Sequence, residues 1–369
     1  MRNINDYSCI IGVLNSSEMT EGGYPRGKKA KLYQEMAAYA EKQNVLVYFF
    51  YADNVDWKQR QIKGFTWARN HRWVSSVYPM PDIVYNRIRF RSIEGRIQIR
   101  NLLQRFEDDH HVYLFNSRFL DKWEIYQAMS KYSAEKQLLP PTELFNKQSL
   151  KEFLSNYKEI YLKPVNGSVG KGIIKIVSKS DHYLYAQAQP KKISWHKCAS
   201  FETLYEQLRQ LDVTDNQYLV QKAIDLARYN GKMFDLRGQL QKNGQGEWVL
   251  TGIAVRIAGK DRIVTHIPNG GSAGSYEQII KHIFGSYPEQ IEALKTQLNN
   301  ISLKVPQILE KELGINLAIL SMDIGVDSKG KMWVIEVNSK PASFDEDDIR
   351  KRHLKYLIDY CLYVNQNKR

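Results

Sequence analysis

This 369-residue chain has only three cysteines and no long run of uncharged apolar residues. The cysteines, Cys9, Cys198 and Cys361, lie far apart, and their spacing suits neither a metal site nor a redox pair. We therefore expect three buried thiols in a reducing compartment, which points to a cytoplasmic protein. The lack of a signal peptide and of an apolar stretch long enough for a bilayer predicts a protein that is neither exported by that route nor inserted in a membrane.

Internal repeats and low-complexity tracts are also absent from the sequence, which argues against a solenoid and against a largely disordered chain. Apolar residues make up 43% of the chain and charged residues 25%, which are the proportions of a globular protein. The length is sufficient for about two or three domains.

Acidic residues are too few to balance the basic ones, and the formal net charge is +13. Such an excess favours anionic partners such as nucleotides and acidic substrates, although a solvated basic surface is the simpler interpretation for most of these side chains. The basic residues concentrate in the stretches 58–72 and 87–105. Trp57, Phe65, Trp67 and Trp73 accompany the first stretch, which admits single-stranded nucleic acid, but no nucleic-acid motif is present and we do not expect that partner.

The most informative stretch is 321–341, which is interpreted as two β-strands joined by a turn. If Asp327 pairs with Met332, one face of this hairpin is entirely apolar. The opposed pairs on that face would be Ile324 with Ile335, Met322 with Val337, and Val326 with Trp333.

On the other face of the hairpin the same register places Asp323 opposite Glu336, and Asn338 follows two residues later. Two facing carboxylates repel each other, and a hard divalent cation with oxygen ligands, normally Mg²⁺, would remove that cost. The alternative from geometry alone is a solvent-exposed hairpin with ordinary surface charges.

Residues 160–177 predict a strand, a glycine-rich loop and a second strand. The loop and its flanks carry Lys163, Asn166, Gly167, Ser168, Gly170, Lys171 and Gly172. Glycines let backbone N–H groups approach an anion closely, and the lysines add positive charge, so we predict a phosphate-binding loop. It is not a P-loop, because no Gly-Lys-Ser/Thr opens a helix here. The alternative is a glycine-rich hairpin turn without a ligand.

Strands that alternate with helices predict a parallel α/β layer for roughly the first 115 residues. Further along, the strand 234–241 places Asp235 and Arg237 on one face, and the strand after it ends at Arg256. His266 lies in a different loop, within residues 263–274, that follows this strand. Because no second histidine or cysteine stands at ligand spacing, we expect a structural or substrate contact there and no metal.

The ordered set of these motifs resembles the ATP-grasp superfamily, once Lys122 in the first turns of a helix is included. Within the superfamily it is similar to the YheC/YheD group of endospore coat-associated proteins. The segments that carry this similarity are Pro81-Asp-Ile-Val-Tyr-Asn-Arg-Ile88, Asp121-Lys-Trp-Glu-Ile-Tyr126, Phe234-Asp-Leu-Arg237 and Glu336-Val-Asn338. The resemblance covers nearly the whole chain, with the ATP-grasp part running from about residue 116 to 364.

The resemblance implies a mixed α/β and α+β architecture, in which two α+β lobes of an ATP-grasp fold clamp ATP behind an N-terminal α/β pre-ATP-grasp domain. The implied divisions are 1–115 for the N-terminal domain, 116–222 for the small lobe with the glycine-rich loop, and 223–369 for the C-terminal lobe with the metal hairpin.

The resemblance also implies the residue roles. The ATP-binding set would be Lys122, Lys163, Asn166, Gly167, Ser168, Val169, Gly170, Lys171, Gly172, Gln221, Lys222, Ala223, Ile224 and Asp225. Within it, residues 221–224 would supply the adenine contacts and Asp225 a ribose contact. Mg²⁺ would be held by Asp323, Glu336 and Asn338, and Arg237 would meet the terminal phosphate.

The implied activity is carboxylate–amine ligation through an acyl phosphate, on an unknown amino acid or peptide-like substrate. Two alternatives remain: a kinase of the same fold, and a spore-coat-associated structural protein that binds nucleotide without turnover. Three positions depart from relatives: Gln221 stands where many have glutamate, and Ser321 and Asn269 stand where two groups of ligases have arginine.

Arg256 is the candidate replacement for those arginines, and with Arg237 it forms the predicted catalytic pair. We expect an anionic, carboxylate-bearing substrate between Arg256 and a loop, because an arginine binds a carboxylate bidentately. The predicted loop contacts are His266, Asn269, Gly270, Gly271 and Ser272. The alternative is a salt bridge of Arg256 with a local acid such as Glu247 or Asp261. Spore coat components are further partners that the resemblance implies, together with a spore-associated location.

Overall fold

In the computed structural model, the described residues are 4–16, 24–25, 27–167, 170–189, 193–259, 262–263, 265 and 271–367. They form three β-sheets with helices packed against them. Among these residues, no helix combines the length and the apolar character that crossing a bilayer requires. The predicted site residues Ser168, Val169, His266, Asn269 and Gly270 lie outside the described set.

The N-terminal sheet has a parallel centre, in which strand β1 lies between β2 and β6, and β6 pairs with β7. Every residue of β2 is buried, because helices cover both faces of a parallel sheet and apolar runs of this kind fit such a position. The elements are β1 (Cys9–Asn15), α1 (Gly27–Lys42), β2 (Val45–Tyr51), β3 (Val55–Asp56), β4 (Gln61–Trp67), β5 (Trp73–Pro79), β6 (Ile83–Asn86), α2 (Arg91–Glu94), α3 (Ile97–Glu107) and β7 (Tyr113–Phe115).

The predicted parallel layer is correct for β1, β2, β6 and β7, but the sheet as a whole is mixed. Strand β4 runs antiparallel to β2 and pairs with β3 and β5 in the same way. The basic side chains of the stretch 58–72 are exposed, as the interpretation of a solvated basic surface expects, while Ile62 and Phe65 of β4 in the same stretch are buried. All three cysteines are buried, as predicted.

The middle sheet is antiparallel, and its strand β9 lies between β10 and β13. Helices α6 and α7 pack against it through leucine and phenylalanine side chains. The elements are α4 (Lys122–Ser130), α5 (Ser133–Lys136), β8 (Thr142–Leu144), α6 (Lys147–Asn156), β9 (Glu159–Pro164), β10 (Ile174–Ser178), β11 (Tyr183–Gln187), β12 (His196–Cys198), α7 (Phe201–Gln210) and β13 (Tyr218–Lys222).

The C-terminal sheet is also antiparallel, with strand β15 between β16 and β18, and β19 beside β18. The elements are β14 (Arg228–Tyr229), β15 (Lys232–Lys242), β16 (Trp248–Ile257), β17 (Ser272–Gly274), α8 (Tyr276–Phe284), α9 (Pro288–Leu313), β18 (Ile319–Val326), β19 (Met332–Asn338) and α10 (Asp347–Asn367).

The β18–β19 hairpin contains the predicted pair of Asp323 with Glu336. Beyond that pair the register shifts by one residue, so Ile324 lies opposite Val334 and not opposite Ile335. The predicted pairs 324–335, 326–333 and 327–332 are therefore wrong, because a β-bulge inserts one extra residue into β19.

The side chain of Asp327 organises the turn of this hairpin. The Asp327 side chain accepts hydrogen bonds from the backbone N–H groups of Lys329 and Lys331, both at 2.9 Å. It also accepts one from Trp333 Nε1 at 2.9 Å, which keeps that indole off the buried face. The buried apolar face consists of Met322, Ile324, Val326, Met332, Val334 and Val337.

Asn116 connects the N-terminal sheet to the hairpin. It follows β7 with a left-handed φ of 52°, a conformation that asparagine tolerates. Its side-chain oxygen accepts from the N–H groups of Ala318 (3.1 Å) and Ile319 (3.2 Å), and its Nδ2 donates to the Ile319 carbonyl (2.7 Å) and to the Ser339 carbonyl. Both ends of the hairpin are thereby fixed to the first sheet.

The packing units cross the predicted divisions at two helices. Helix α4 contributes to the core of the C-terminal sheet, and helix α10 packs on the core of the N-terminal sheet together with β1 and β2. The divisions at 115/116 and 222/223 stay a prediction. Helix α10, although it comes last in the sequence, packs on the N-terminal sheet.

A buried polar network joins α10 to the C-terminal sheet. Gln239 Nε2 donates to His353 Nδ1 (2.7 Å) and to Gln241 Oε1 (2.8 Å), and Thr251 Oγ1 also donates to Gln241 Oε1 (3.0 Å). Burial, assisted by the charge of Arg87, lowers the pKa of His353 to about 3. The imidazole is therefore neutral in the folded protein at every pH above that value.

This network predicts a stability that depends on pH. The pKa of His353 is about 6.5 in an unfolded chain, so the unfolded state binds one more proton between pH 6.5 and about 3. The stability that depends on neutral His353 is full above pH 6.5 and decreases as the pH falls. We expect His353→Gln to flatten the acid side of a plot of unfolding free energy against pH, measured by denaturant titration.

The matched control is His110→Gln, because His110 is exposed in a loop. It should leave the acid side of that curve as steep as in the unmodified protein. Parallel curves for the unmodified protein and His353→Gln would contradict the assignment of this pH dependence to His353.

Candidate nucleotide and metal site

Four of the predicted residues, Lys122, Lys163, Gln221 and Glu336, line one pocket between the middle and C-terminal sheets. The sheets bring together side chains that are up to 214 positions apart in the sequence (336 − 122). The pocket measures about 30 Å³, which is close to the volume of one water molecule. A nucleotide can therefore enter only if side chains that now fill the space move away.

Lys122 connects the glycine-rich loop to the hairpin. Asp121 caps helix α4 and forms a capping box with Glu124, so Lys122 is the first residue of the helix and points into the pocket. Its Nζ donates to the Gly167 carbonyl at 2.6 Å and lies 3.6 Å from Glu336 Oε1. The ammonium is thus held between a loop carbonyl and a carboxylate, both of which a phosphate would replace as its partners.

Lys163 is buried on β9 and binds Gln221 of the adjacent strand β13. Its Nζ donates to Gln221 Oε1 at 2.5 Å, and Gln221 Nε2 donates to Thr142 Oγ1 at 2.8 Å. Burial lowers the pKa of Lys163 to about 8, while Glu336 opposes that effect. A buried ammonium with one neutral partner attracts an incoming anion more strongly than an exposed one.

The segment after β13 is the predicted adenine and ribose contact. The N–H of Lys222 donates to the Pro141 carbonyl (2.9 Å) and the N–H of Ala223 to the Glu159 carbonyl (3.0 Å). Ile224 is half-buried and Asp225 is exposed. Because two of the N–H groups are already bonded, adenine contacts from these two residues would use their carbonyls.

The glycine-rich loop requires glycine at two described positions. Gly170 and Gly172 have φ values of 71° and 74°, which side chains rarely adopt. A Cβ on Gly172 would also lie 2.8 Å from Pro164 Cγ. Lys171 between them is exposed.

The predicted metal ligands have the chemistry that Mg²⁺ prefers. Asp323 and Glu336 face each other across β18 and β19, and Asn338 lies one pleat further on. Two carboxylates and an amide supply hard oxygen donors, so the set fits the ion. In the part of the chain that the structure describes, no group of three or more histidine, cysteine or acidic residues could hold a metal, in keeping with a set of only two acids. Arg256 and Lys122 offset the charges of these acids in this structure.

Arg256 lies in a buried ion network. Its Nε and Nη2 donate to Asp235 at 2.7 and 2.5 Å, and Nη2 also lies 2.9 Å from Asp323 Oδ2. The three residues are at most 5% exposed. Burial acts to lower the pKa of Arg256, but the two carboxylates outweigh it and raise the pKa above its ordinary value.

These contacts correct the expected partner of Arg256. Asp235 lies directly opposite it in the β15–β16 ladder, so the local acid is Asp235 and not Glu247, while Asp261 is outside the described residues. A substrate carboxylate could reach the Nε edge of Arg256 only by displacing Asp235. The geometry therefore favours a role in which Arg256 orients Asp323.

Arg237 has the exposure that a phosphate contact needs. It lies opposite Asp323 in the β15–β18 ladder, with Nη1 3.9 Å from Asp323 Oδ1. Its Nη2 donates to Ser321 Oγ at 3.2 Å, and its guanidinium stacks on Phe344 at 5.7 Å. The guanidinium is only partly buried and adjoins the predicted metal face.

Two residues of the predicted substrate loop are described. Ser272 pairs with Ile257, and the next residue, Ala273, pairs with Arg256, so β17 extends the sheet beside the ion network. Gly271 precedes this strand and is half-buried. Ser272 thus lies next to Arg256 in the sheet, and the substrate contacts of these residues stay a prediction.

The sequence analysis missed two connections from helix α2 to this site. Arg91 Nη1 donates to Asn166 Oδ1 at 3.4 Å, and Glu94 accepts from the Phe119 N–H at 2.6 Å and from Lys340 Nζ. Lys340 follows Asn338 by two positions, which places it on the same side of the chain as the metal ligands. Nothing near Glu94 in the sequence indicates a partner 246 residues away.

The fold and these residues define an ATP-grasp protein. The chain is similar in structure to D-cycloserine synthetase DcsG, with a TM-score of 0.54, 12% identity and coverage of 98% of this chain and 100% of that one. It is also similar to N5-carboxyaminoimidazole synthetase from Staphylococcus aureus in complex with ADP, with a TM-score of 0.50, 11% identity and coverage of 95% and 77%. The predicted fold class is confirmed.

The chain belongs to the YheC/D-like ATP-grasp family, whose model matches residues 111–364. Its relatives include two proteins of Bacillus subtilis (strain 168). Endospore coat-associated protein YheD is 26% identical over 338 residues, covering 90% of this chain and 72% of that protein. Endospore coat-associated protein YheC is 24% identical over 274 residues, covering 73% of each. The predicted resemblance is confirmed.

The ion network predicts that Arg256→Lys destabilises the protein. Lysine keeps the charge but loses the two-pronged contact with Asp235, which leaves a buried carboxylate incompletely paired. We expect the free energy of unfolding to fall by about 2–4 kcal/mol, measured by urea titration.

Arg228→Lys is the matched control, because Arg228 is exposed and bonds only to a backbone carbonyl of its own turn, that of Gly231. It should change stability by less than about 0.5 kcal/mol. Equal losses of unfolding free energy in the two variants would contradict a stabilising role of the Arg256 ion network.

Proposed function

We propose that the protein binds ATP with Mg²⁺ between its middle and C-terminal sheets and uses it to join a carboxylate to an amine through an acyl phosphate. The observation that supports the proposal is the convergence of Lys122, Lys163 and Glu336 on one pocket. Lys122 also donates to the Gly167 carbonyl of the glycine-rich loop, and Glu336 faces Asp323 across the hairpin. Membership of the ATP-grasp family supports it, as does the similar fold of a synthetase solved with ADP.

In this proposal each cation exchanges an internal partner for a phosphate. Lys122 leaves the Gly167 carbonyl, and Lys163 leaves Gln221, whose amide becomes free to contact the base. The short side-chain movements involved account for a pocket that is closed without ligand. The N–H groups of the glycine-rich loop then cover the phosphates.

The metal ligands in this proposal are Asp323, Glu336 and Asn338, and Mg²⁺ would neutralise phosphate charge there. Arg256 holds Asp323 in position from the same face of the sheet. Arg237, which is partly exposed beside Asp323, stabilises the negative charge that develops on the transferred phosphoryl group.

The proposed substrate is an amino acid or a peptide-like molecule with a free carboxylate, bound near Arg237 and the segment that begins at Gly271. The partly exposed guanidinium of Arg237 favours a substrate with a carboxylate over a neutral one. The names of the two relatives also support a spore-associated location and coat components as partners.

The nucleotide site predicts a dependence of ATP affinity on Mg²⁺. In the double variant Glu336→Ala/Asn338→Ala, two of three oxygen ligands are lost, so ATP affinity in the presence of Mg²⁺ should fall by at least about tenfold. Isothermal titration calorimetry with and without Mg²⁺ measures the two ATP affinities. The double variant should show no further loss when Mg²⁺ is omitted.

The control is Glu206→Ala/Asn156→Ala, in which exposed residues of α7 and α6 undergo the same two changes far from the pocket. Affinity that survives the loss of Glu336 and Asn338 would contradict the metal assignment.

The chemistry predicts a trappable acyl phosphate. With ATP, Mg²⁺ and the correct substrate, hydroxylamine should attack the acyl carbon, form a hydroxamate and release phosphate, while ADP accumulates. Screening amino acids and short peptides for ADP release identifies the substrate. With that substrate, Arg237→Met should lower the rate of ADP release while ATP still binds.

The outcomes separate the three candidate functions. ADP release with a stable phosphorylated product and no hydroxamate identifies a kinase. Tight ATP binding without turnover on any amino acid or peptide supports the nucleotide-binding coat component instead.

A further inference from the structure

Asn338, the proposed amide ligand of Mg²⁺, is the last residue of β19, which is the edge strand of the C-terminal sheet. The ladder to β18 holds it through its pairing with Ser321. Strand ends at a sheet edge open more easily than the interior of a sheet. The position of this ligand therefore depends on how the chain is held beyond residue 338.

The chain beyond β19 is bonded to residues that precede helix α4. Ser339 Oγ accepts a hydrogen bond from the Leu120 N–H at 3.0 Å, and the Ser339 carbonyl accepts one from Asn116 Nδ2. The Lys340 ammonium bonds to the Glu94 carboxylate, and both side chains are at most 8% exposed. Two residues after Asn338, the chain is thus fixed to helix α2 of the N-terminal domain.

Glu94 also holds the chain that leads into Lys122. Its Oε1 accepts from the Phe119 N–H at 2.6 Å, and its Oε2 accepts from Asn86 Nδ2 at 3.1 Å in addition to Lys340. Phe119 lies three residues before Lys122, the first residue of α4. One carboxylate therefore joins the segment that follows a proposed metal ligand to the segment that precedes a proposed phosphate-binding lysine.

Arg91 on the same helix adds a contact with the glycine-rich loop. Its Nη2 donates to the Leu120 carbonyl at 2.5 Å, and its Nη1 donates to Asn166 Oδ1 at 3.4 Å. The Arg91 guanidinium and the Lys340 ammonium each lie 4.8 Å from the centroid of the Phe119 ring. Helix α2 thus contacts the chain on either side of the pocket.

Stability alone does not account for a buried ion pair at this place. Removing two charges from water costs about as much as their attraction returns, and apolar residues of the same volume are often at least as stabilising. A buried pair whose oxygens have further donors does, however, hold its two segments in one arrangement. Neither Glu94 nor Lys340 is among the described residues that line the pocket, so neither is placed to touch a nucleotide.

We propose that Glu94 is a positioning residue for Mg²⁺-dependent ATP binding. Through Lys340 it fixes Asn338, and through Phe119 it fixes Lys122, so the metal ligand and the lysine keep a constant separation. The N-terminal domain thereby contributes to the nucleotide site without touching the nucleotide. This inference rests on the proposed function, since it needs Asn338 to bind the metal.

Two variants break the ion pair and keep the bond to Phe119. Glu94→Gln keeps an oxygen that accepts from the Phe119 N–H, and Lys340→Met removes only the ammonium. In each we expect the Mg²⁺ concentration that half-saturates tight ATP binding to rise by about tenfold or more, the loss typical of residues that orient metal ligands. ATP affinity without Mg²⁺ should stay unchanged, because Lys122 and Lys163 are intact. Calorimetric ATP titrations at a series of Mg²⁺ concentrations measure both quantities.

The double variant Glu94→Gln/Lys340→Met should show the Mg²⁺ requirement of the single variants and not the product of their effects, because the two side chains act as one unit. It contains neither buried charge, so it decides the question if a single variant does not fold.

Glu310→Gln is the matched control. Glu310 is a partly buried carboxylate with three donors of its own, Lys242 Nζ (2.7 Å), Trp248 Nε1 (2.8 Å) and the Leu317 N–H (3.1 Å). It is not among the described residues that line the pocket. The change should lower the thermal midpoint, as the Glu94 variant does, and leave the Mg²⁺ requirement unchanged.

The outcomes separate this inference from the proposed function. If the ATP affinity of the unmodified protein does not depend on Mg²⁺, the proposed metal site and this inference both fail. If that affinity depends on Mg²⁺ and the variants keep the unmodified requirement, only this inference is overturned. An equal rise of the requirement in Glu310→Gln would also overturn it, since destabilisation would then explain the effect.

Discussion

One buried guanidinium fixes the geometry on which the candidate site depends. Arg256 binds Asp235 through two hydrogen bonds and Asp323 through a third contact, and water is excluded from all three residues. A buried charge that loses its partner costs several kcal/mol, so none of the three can turn away alone. Asp323 therefore keeps one orientation, whereas Glu336 and Lys122 across the pocket are paired loosely at 3.6 Å and can adjust. The site combines one rigid ligand with one adaptable ligand.

The position of that site relative to the first sheet depends on Asn116 and on helix α2. Asn116 bonds to the start of β18 and to Ser339 after β19, so the hairpin and the N-terminal sheet are joined at both hairpin ends. Arg91 and Glu94 add contacts from α2 to Asn166 and Lys340. Side chains of the N-terminal domain are therefore in direct contact with the start of the glycine-rich loop and with the chain after β19.

Strand periodicity predicted much of this arrangement, and two bulges account for what it missed. Alternation counted from the turn placed Asp323 opposite Glu336 correctly because the extra residue of the β19 bulge offsets a turn that is one residue shorter than expected. In the β15–β16 ladder a bulge adds Thr251 to β16. Asp235 therefore lies opposite Arg256, whereas the register nearer the turn would set it opposite Val255. A bulge depends on local backbone geometry and leaves no periodic pattern, so partners beyond it cannot be assigned from spacing.

The basic stretch 87–105 illustrates a second limit of sequence-based prediction. The charged residues can be counted, but the direction in which each side chain points cannot be assigned from the sequence. Arg87 follows β6 and donates to the Tyr85 hydroxyl at 3.0 Å, and Arg91 contacts Asn166 of the glycine-rich loop. Arg96, the N-cap of α3, and Arg105 in its last turn both line a cavity beside the ends of β1 and β2. A single run of arginines thus divides among a core contact, a nucleotide-side contact and a cavity edge, because a strand end and two helices point successive side chains in different directions. The interpretation as a solvated basic surface was made for most of these residues, and it holds for Arg89, Arg96, Arg100 and Arg105, which are exposed, while Arg87 and Arg91 are half-buried.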